Sequence, residues 1–445
     1  MKVLFINAIN LEKFLEIRYP PLNLAYLAAV LRKNFNDIQI KIVDRNVEKE
    51  LEIFKPDVVC ISSVSQNYNL TMEYAKLAKQ RDIKVLIGGV HISILPQSLS
   101  KDMDIGVLGE GEITIVDLFK NNFENLDKIN GIAYWKDDKI NITKLRELIE
   151  NLDTIPYPAR DLLKIEDHTF MFTSRGCPYK CVFCSSTRFW KAVRFHSAEY
   201  VVNEIKLLID KYKVKYIDFF DDLFIANKKR LEQIANLIKQ EKIDIAFGCD
   251  ARANMIDDEI MKLLKSMNVQ KIVLGLESGN DRILTYLKGI DGRPTVTVKQ
   301  NYDAVRIANK YGILVNAGFV IGSPDETEEE ILDTLKLAKT SGLNHFEPYI
   351  ITPLPGTPLW ELAKKKGLVS DQMDWSKLNM LFGENYKDAI ILSETLSREK
   401  LYELYRKFKR VQFYLRVKNS IIHPIKNNVL NIGTKYISAK LSKYL

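Results

Sequence analysis

Along the first 120 residues of the chain, short β-branched runs alternate with longer stretches whose apolar residues recur at helical spacing. The runs are KVLFIN (2–7), IQIKIVD (38–44), DVVCIS (57–62), KVLIGG (84–89) and DIGVLG (104–109). The segments 22–33, 69–81 and 112–122 between them read as helices covering two faces of a sheet. This alternation predicts parallel βαβ units, an α/β fold, and a Rossmann-like doubly wound sheet over residues 1–130. Ligands of such sheets sit where loops leave the carboxyl ends of the strands, here 8–22, 45–48, 62–69 and 88–97.

Residues 131–142 read as a hairpin around Asp137 and Asp138, and 152–160 holds two prolines that disfavour a continuous helix. A hairpin and linker are therefore expected over 131–165. A second βα series follows: MFTSR (171–175), KYIDFF (215–220), DIAFGC (244–249), KIVLGL (271–276), ILVNAGFVI (313–321) and HFEPYII (345–351). Six such strands predict a partial (β/α)6 TIM-type barrel over 166–370, with its chemistry at the strands' carboxyl ends. The remainder, 371–445, is expected to be mainly helical with a basic tail.

Composition adds bounds. The chain has 445 residues, 46% hydrophobic and 27% charged, enough for several buried cores and too much for a minimal binding module. No run of eighteen apolar residues occurs and the start lacks the blocks of a signal peptide, so a cytoplasmic location is expected. From Arg398 onward there are twelve basic residues against two acidic ones, a net +10, which leaves −2 of the chain's +8 for everything before it. An anionic partner would meet the tail.

Cys177, Cys181 and Cys184 form C-x3-C-x2-C on the loop after the first strand of the second series, while Cys60 and Cys249 lie in apolar strands and read as small buried hydrophobes. Three thiolates on one loop can each hold one iron of a four-iron cluster and leave the fourth iron open. Structural zinc would need a fourth Cys or His at suitable spacing, and the nearest is His196.

These residues resemble the radical S-adenosylmethionine (SAM) superfamily. The resemblance implies a [4Fe-4S] cluster on Cys177, Cys181 and Cys184, whose open iron chelates SAM and whose electron splits it to a 5′-deoxyadenosyl radical. It implies that Phe183 packs near the adenine, that Asp221 and Asp222 meet the SAM amine, and that Arg252 faces its carboxylate. Glu277, with Ser278 beside it, would receive the ribose hydroxyls, and Gly318 and Gly322 would belong to the adenine-contact segment. The run from Ile351 to Pro358 completes the likeness as a rigid closing loop.

Residues 20–27, 56–59, Gly88 to His91 with Pro96, and 109–112 resemble the cobalamin-binding domain fused to one branch of that superfamily. Glycines at strand ends would let a corrinoid approach the backbone, and small hydroxyls would bond its amides. The residues concerned are Ser62, Ser63, Ser65, Gly88, Gly89, His91, Gly109 and Glu110. The D-x-H-x-x-G signature that supplies a histidine to cobalt is absent; a loop hydrogen-bonding role for His91 is expected ahead of cobalt ligation.

Together these features predict a cobalamin-dependent radical SAM enzyme that methylates an unactivated carbon of a lipid or other small metabolite. It would draw electrons from a donor such as ferredoxin or flavodoxin. Ring formation, oxidation or rearrangement without methyl transfer is the enzymatic alternative; a corrinoid or metal-binding scaffold is the non-enzymatic one. A methylthiotransferase would carry three further amino-terminal cysteines. The stretch 398–418 mixes basic with apolar residues at helical spacing, suiting either peripheral contact with anionic lipid or packing on the barrel. Nucleic acid fits less well.

Overall fold

The computed structural model describes residues 1–11, 19–383 and 386–422. They separate into two compact units, one of Met1–Tyr212, Thr352–Met380 and Lys387–Ile390, the other of Lys213–Ile351, Leu381–Tyr386 and the described residues from Ile391.

The first unit is built on a seven-stranded sheet. Its strands are β1 (Lys2–Asn7), β2 (Gln39–Val43), β3 (Val58–Ser62), β4 (Lys84–Gly88), β5 (Ile105–Val107), β6 (Ile132–Lys136) and β7 (Lys139–Ile142), in the order β2-β1-β3-β4-β5-β6-β7. The first five run parallel. The order reverses at β1, the doubly wound arrangement whose ligand crevice lies at the carboxyl ends of the strands. Val3, Leu4, Phe5 and Ile6 are all fully buried, which explains why this strand reads as an unbroken apolar run. The predicted helices are present as Leu22–Asn34, Tyr68–Lys79 and Gly111–Lys120. The hairpin at 131–142 also forms, but it continues the sheet: β6 pairs antiparallel with β5 and buries Ile132, Ala133 and Tyr134.

The strand expected over 171–175 is broken. Strand β8 (His168–Met171) ends, and Ser174–Arg175 forms a separate short strand, β9, paired antiparallel with β10 (Arg194–Phe195). Thr173 and Ser174 are buried hydroxyl residues between apolar Met171 and charged Arg175, so the alternation changes partner there. Helix Ala198–Tyr212 is fixed to the segment before β8 by Arg160, whose guanidinium donates through Nε and Nη2 to Glu204 at 3.1 and 2.7 Å, and through Nη2 to the Phe170 carbonyl at 3.0 Å.

The second unit winds in sequence order. Strands β11 (Tyr216–Phe219), β12 (Ala246–Ala251), β13 (Val269–Glu277), β14 (Leu314–Ile321) and β15 (His345–Ile350) pair each with the next, all parallel, as in part of a βα barrel. Side-chain capping sets the helices between them. Asn227, Asp257 and Asn280 accept backbone N–H bonds at helix starts, and Thr297 with Gln300 and Thr327 with Glu330 make reciprocal capping boxes. On β13, Ile272, Leu274 and Leu276 are fully buried on one face while Lys271, Val273 and Gly275 alternate onto the other. Helix Arg398–Ile422 packs Phe408 against Phe319 and Phe346, and Gln412 donates to the Phe346 carbonyl of β15. From 379 to 397 the described residues form neither helix nor strand; the helical character expected after 370 is seen in the short turn Trp375–Leu378 and in Arg398–Ile422, and the rest of the expected basic tail, 423–445, lies outside the described residues.

The Arg160–Glu204 pair is 1% and 0% exposed at its side chains. Removing one partner strands a buried charge, so Glu204→Ala should cost about 3–5 kcal/mol of unfolding free energy in urea titrations. A loss under about 1 kcal/mol would show that the pair does not hold this helix.

Candidate active site: cysteine loop, glycine edge and barrel wall

The cysteine loop starts where β9 ends. Arg175 of β9 stands opposite Arg194 of β10, so the chain between them, which carries all three cysteines, leaves and returns through a neck of two paired residues. Gly176 permits this: its φ is +92°, and a Cβ there would lie 2.5 Å from the Ala192 carbonyl oxygen. Within the loop, the Cys184 N–H donates to the Cys181 carbonyl at 3.2 Å. Cys181 is buried, Cys177, Phe183 and Cys184 are half-buried, and none of the three cysteines is in a disulfide. Among the described residues no three metal-binding side chains converge on a single-ion site. A cluster held by three thiolates on three different irons does not require such convergence. Three thiols on one loop, two half-buried and one buried, are a donor set that suits it.

The neck is clamped by charge. Arg175 donates to Glu110 and Glu112, each at 2.5 Å, and Arg194 donates to Glu110 at 2.7 Å and to the Ile149 carbonyl at 2.6 Å. The Ile149 N–H closes the set onto Glu110 at 2.7 Å. Burial works to raise the Glu110 carboxyl, but Arg194, Arg175 and this N–H outweigh it and hold it below the usual range. Glu110, expected as a corrinoid contact, thus spends both oxygens on this clamp.

At the carboxyl ends of β3, β4 and β5 the backbone is open. A Cβ built on Gly88 or on Gly109 would meet nothing within 4 Å, and Ser62 stands beside Gly88 in register. This is a cradle against which a large flat ring could rest, so these residues fit a corrinoid. Ser62 accepts from Asn23 at 2.7 Å, and Ser93 accepts from the Gly109 N–H at 3.0 Å. Gly89 lies beneath, its φ of +108° required because a Cβ would come within 2.4 Å of the Ser63 carbonyl oxygen. Ser63 is buried and donates to the Val64 carbonyl at 2.9 Å.

His91 is fully buried below that edge. Its Nδ1 pairs with Ser65 at 3.1 Å and its Nε2 with Ser98 at 3.0 Å, while its ring stacks on Tyr68 and meets the edge of Trp375. Burial lowers its pKa to about 3. Both nitrogens are engaged, and Ser65 and His91 serve the loop beneath the open edge.

The residues expected around SAM in the second unit divide into two groups. Arg252 and Glu277 come together through Lys288, which the sequence reading did not single out. Lys288 Nζ donates to the Gly275 carbonyl and lies 3.5 Å from Glu277, while Arg252 reaches the Lys288 carbonyl at 3.5 Å, Thr295 at 2.6 Å and Asn254 at 3.1 Å. Glu277 adopts a φ of +60°, strained for its type, and folds back so that a Cβ on Gly275 would be 2.3 Å from its Oε1. The close approach that Gly275 permits is therefore made by Glu277 itself. Asp221 is buried and its neighbour Asp222 exposed, so only one of them belongs to the interior. Ser278 is fully buried, its hydroxyl shared between Thr334 at 3.1 Å and the Asn280 N–H at 3.2 Å. Gly318 leaves 3.6 Å between a built Cβ and Tyr349, and Gly322, with φ +85°, donates its N–H to Glu326 at 2.8 Å.

A second unexpected group lies lower on the same strands. Lys271 pairs with Asp218 at 2.9 Å, and the Tyr216 hydroxyl donates to Asp218 at 3.3 Å. Gly248 makes room for them, since a Cβ there would lie 2.0 Å from Asp218 Oδ1.

A radical SAM superfamily model matches residues 171–338, and a B12 binding domain model matches residues 15–119. An uncharacterized methyltransferase of Pyrococcus horikoshii, PH0819, is 35% identical over 424 residues, covering 90% of this chain and 88% of that protein. The chain belongs to the radical SAM superfamily, in its B12-binding, methyltransferase-like branch. This radical SAM protein is also 27% identical to the anaerobic magnesium-protoporphyrin IX monomethyl ester cyclase of Rubrivivax gelatinosus, over 92% of this chain and 77% of that protein. In fold it resembles TsrM, a radical SAM methyltransferase of Kitasatospora setae solved with tryptophan and a SAM analogue, with a TM-score of 0.71 at 17% identity over 83% of this chain and 77% of that one. It is an enzyme, and its cofactors are those of this branch: a [4Fe-4S] cluster, SAM and cobalamin. No described helix is long and apolar enough to cross a membrane.

Glu326 yields a pH test. Burial raises its carboxyl to about 7, against the bonds from the Ser323 and Gly322 N–H groups. A carboxyl with a raised folded pKa stabilises the fold most at low pH, and that stability is lost as pH rises from about 4.5 to about 7. Glu326→Gln cannot ionise, so its unfolding free energy relative to wild type should improve between pH 5 and pH 8, by on the order of 2 kcal/mol. A pH-independent difference between the two proteins would refute this.

Proposed function

We propose that this enzyme methylates an unactivated carbon of an organic small molecule or lipid. Support comes from the three-cysteine loop within the radical SAM match, beside a glycine-edged sheet within the B12-binding match. When bound, the cluster and SAM supply a 5′-deoxyadenosyl radical that removes a hydrogen atom from the substrate, and the corrinoid supplies the methyl group.

The chain's own residues bind and orient. Cys177, Cys181 and Cys184 hold the cluster and leave one iron for the methionine end of SAM. Phe183, half-buried beside the third cysteine, packs near the adenine. In the second unit, buried Asp221 offers a carboxylate to the ammonium, with exposed Asp222 flanking it, and Arg252 offers a guanidinium to the carboxylate. Glu277, its charge balanced by Lys288, offers acceptors to the ribose, and Ser278 locks the turn that aims it. Gly318 and Gly322 keep the adenine segment low. Gly88, Gly109 and Ser62 present backbone and hydroxyl to the corrinoid, with Ser63, Ser65, Gly89 and His91 supporting them from below. Holding reactants in register is where such a protein contributes to the rate. The domain division this implies is 1–130 for corrinoid, 131–165 for hairpin and linker, 166–370 for the barrel and 371–445 for the remainder. Reducing equivalents would come from a ferredoxin- or flavodoxin-type donor.

The cyclase relative supports a second reading, radical cyclisation or oxidation without methyl transfer. The helix Arg398–Ile422 supports a peripheral contact. It buries Leu401, Leu404 and Phe408 but leaves Phe413 at 68% and Tyr414 at 64% exposure, next to Arg406 and Arg410. Aromatic and basic side chains on one outward face suit an anionic lipid surface.

Replacing Cys181 by Ala should abolish SAM cleavage in anaerobic, reconstituted enzyme; retained cleavage would sink the radical SAM mechanism. Methylation should yield S-adenosylhomocysteine together with 5′-deoxyadenosine, whereas the second reading yields 5′-deoxyadenosine without it. For the helix, the protein should sediment with phosphatidylserine vesicles and not with phosphatidylcholine ones, and Arg410→Glu with Phe413→Ser should weaken that binding. Equal sedimentation with both vesicles, or with neither, would count against a lipid contact.

A further inference from the structure

Two buried carboxylates and two half-buried guanidinium groups join the acidic turn after β5 to the two strands that frame the cysteine loop. Glu110 and Glu112 lie on that turn and on the first turn of helix Gly111–Lys120. Their side chains are 3% and 9% exposed, and those of Arg175 and Arg194 are 12% and 9% exposed. The residues are far apart in sequence: Glu110 meets Arg175 across 65 positions and Arg194 across 84. Arg175 precedes Cys177 by two residues, and its guanidinium also faces the rings of Trp190 and Tyr26 at 5.4 and 5.9 Å. Both arms of the neck are thereby tied to one carboxylate, and one arm to a second.

A tie of this kind has a geometric consequence. Gly109, whose open backbone forms part of the corrinoid cradle, is the immediate neighbour of Glu110. A displacement of the turn is transmitted to Arg175 and Arg194 through short charge-assisted bonds, which are directional and strong out of water. Between those arginines the loop carries one short helix, Ser186–Phe189. We propose that Glu110 and Glu112 are positioning residues for the cysteine loop, fixing its neck through Arg175 and Arg194 so that the corrinoid turn and the cluster loop move as one body. This rests on reading Cys177 to Cys184 as the cluster loop, and it gives the acidic turn a role other than corrinoid contact.

The test uses full-length protein with Glu110→Gln or Glu112→Gln, isosteric changes that remove charge and keep shape. Hydrogen exchange measured without cluster or corrinoid should accelerate at least several-fold within 174–195 while the β1–β4 core stays as in wild type. In anaerobically reconstituted protein the cluster potential should shift upward, because loss of a nearby negative charge favours the added electron. With hydroxocobalamin as probe, wild type should gain exchange protection over 174–195 and Glu110→Gln should not. Glu112→Gln breaks one contact of the set and carries the exchange test if Glu110→Gln does not fold. Exchange over 174–195 equal to wild type in both variants would overturn the proposal, and so would acceleration spread evenly through the unit, which marks general loosening. Failure to assemble a cluster or to bind hydroxocobalamin counts against the proposed function instead, because the first exchange arm needs neither.

Discussion

Everything the cysteine loop can do depends on a neck of two paired residues, and that neck stands because two buried carboxylates and two half-buried guanidinium groups neutralise one another across it. Moving a carboxylate or guanidinium out of water costs several kcal/mol per ion unless partners replace the lost hydration. Glu110 meets this requirement with Arg175, Arg194 and the Ile149 N–H, and Glu112 with Arg175. The Glu110 carboxyl is held below the usual range in spite of burial, so it is ionised at neutral pH and the clamp remains closed. The sulfurs are then presented by a loop whose base is held by charge and which carries one short helix, Ser186–Phe189.

The barrel strands use the same principle with glycine as the enabling residue. Gly248 lies between Asp218 and Lys271 on adjacent strands, and the ion pair occupies the volume a side chain would have taken. Gly275 does the same for the folded-back carboxylate of Glu277. These glycines bring charged groups against the backbone, where Lys288 can bridge the Gly275 carbonyl and Glu277. Charged pairs are thus accommodated on these strands by removing side chains as much as by adding polar ones.

The parts of this architecture legible in the sequence are those whose signal is local. The apolar runs of β1 to β5 and the spacing of Cys177, Cys181 and Cys184 all fall within a few residues. The parts that were not legible depend on partners brought from far away. Glu110 looks like a corrinoid contact because it sits between Gly109 and Gly111, and only the fold reveals that its oxygens belong to Arg175 and Arg194. Ser278 follows a plausible ribose acceptor, yet it turns inward to Thr334, 56 positions away. Lys288 carries no motif and would have been found only by asking which cation could balance a buried Glu277. The break between β8 and β9 escaped for a related reason: a two-residue strand has no periodicity to read.

His91 shows how completely packing can settle a residue's chemistry. A histidine in a cobalamin-type domain invites assignment as a cobalt ligand, which requires one ring nitrogen with a lone pair directed at the metal. Here Ser65 and Ser98 engage Nδ1 and Nε2, Tyr68 covers one face and Trp375 abuts the ring. Burial pushes the imidazole toward its neutral form, and because the Ser98 hydroxyl donates to the Leu95 carbonyl at 2.7 Å, Nε2 donates to Ser98 while Nδ1 accepts from Ser65. Turning the ring toward the open edge at Gly88 would break both bonds and expose the aromatic stack. The histidine's ring is committed to Ser65, Ser98, Tyr68 and Trp375, and the strand-end surface at Gly88 is made of backbone and serine.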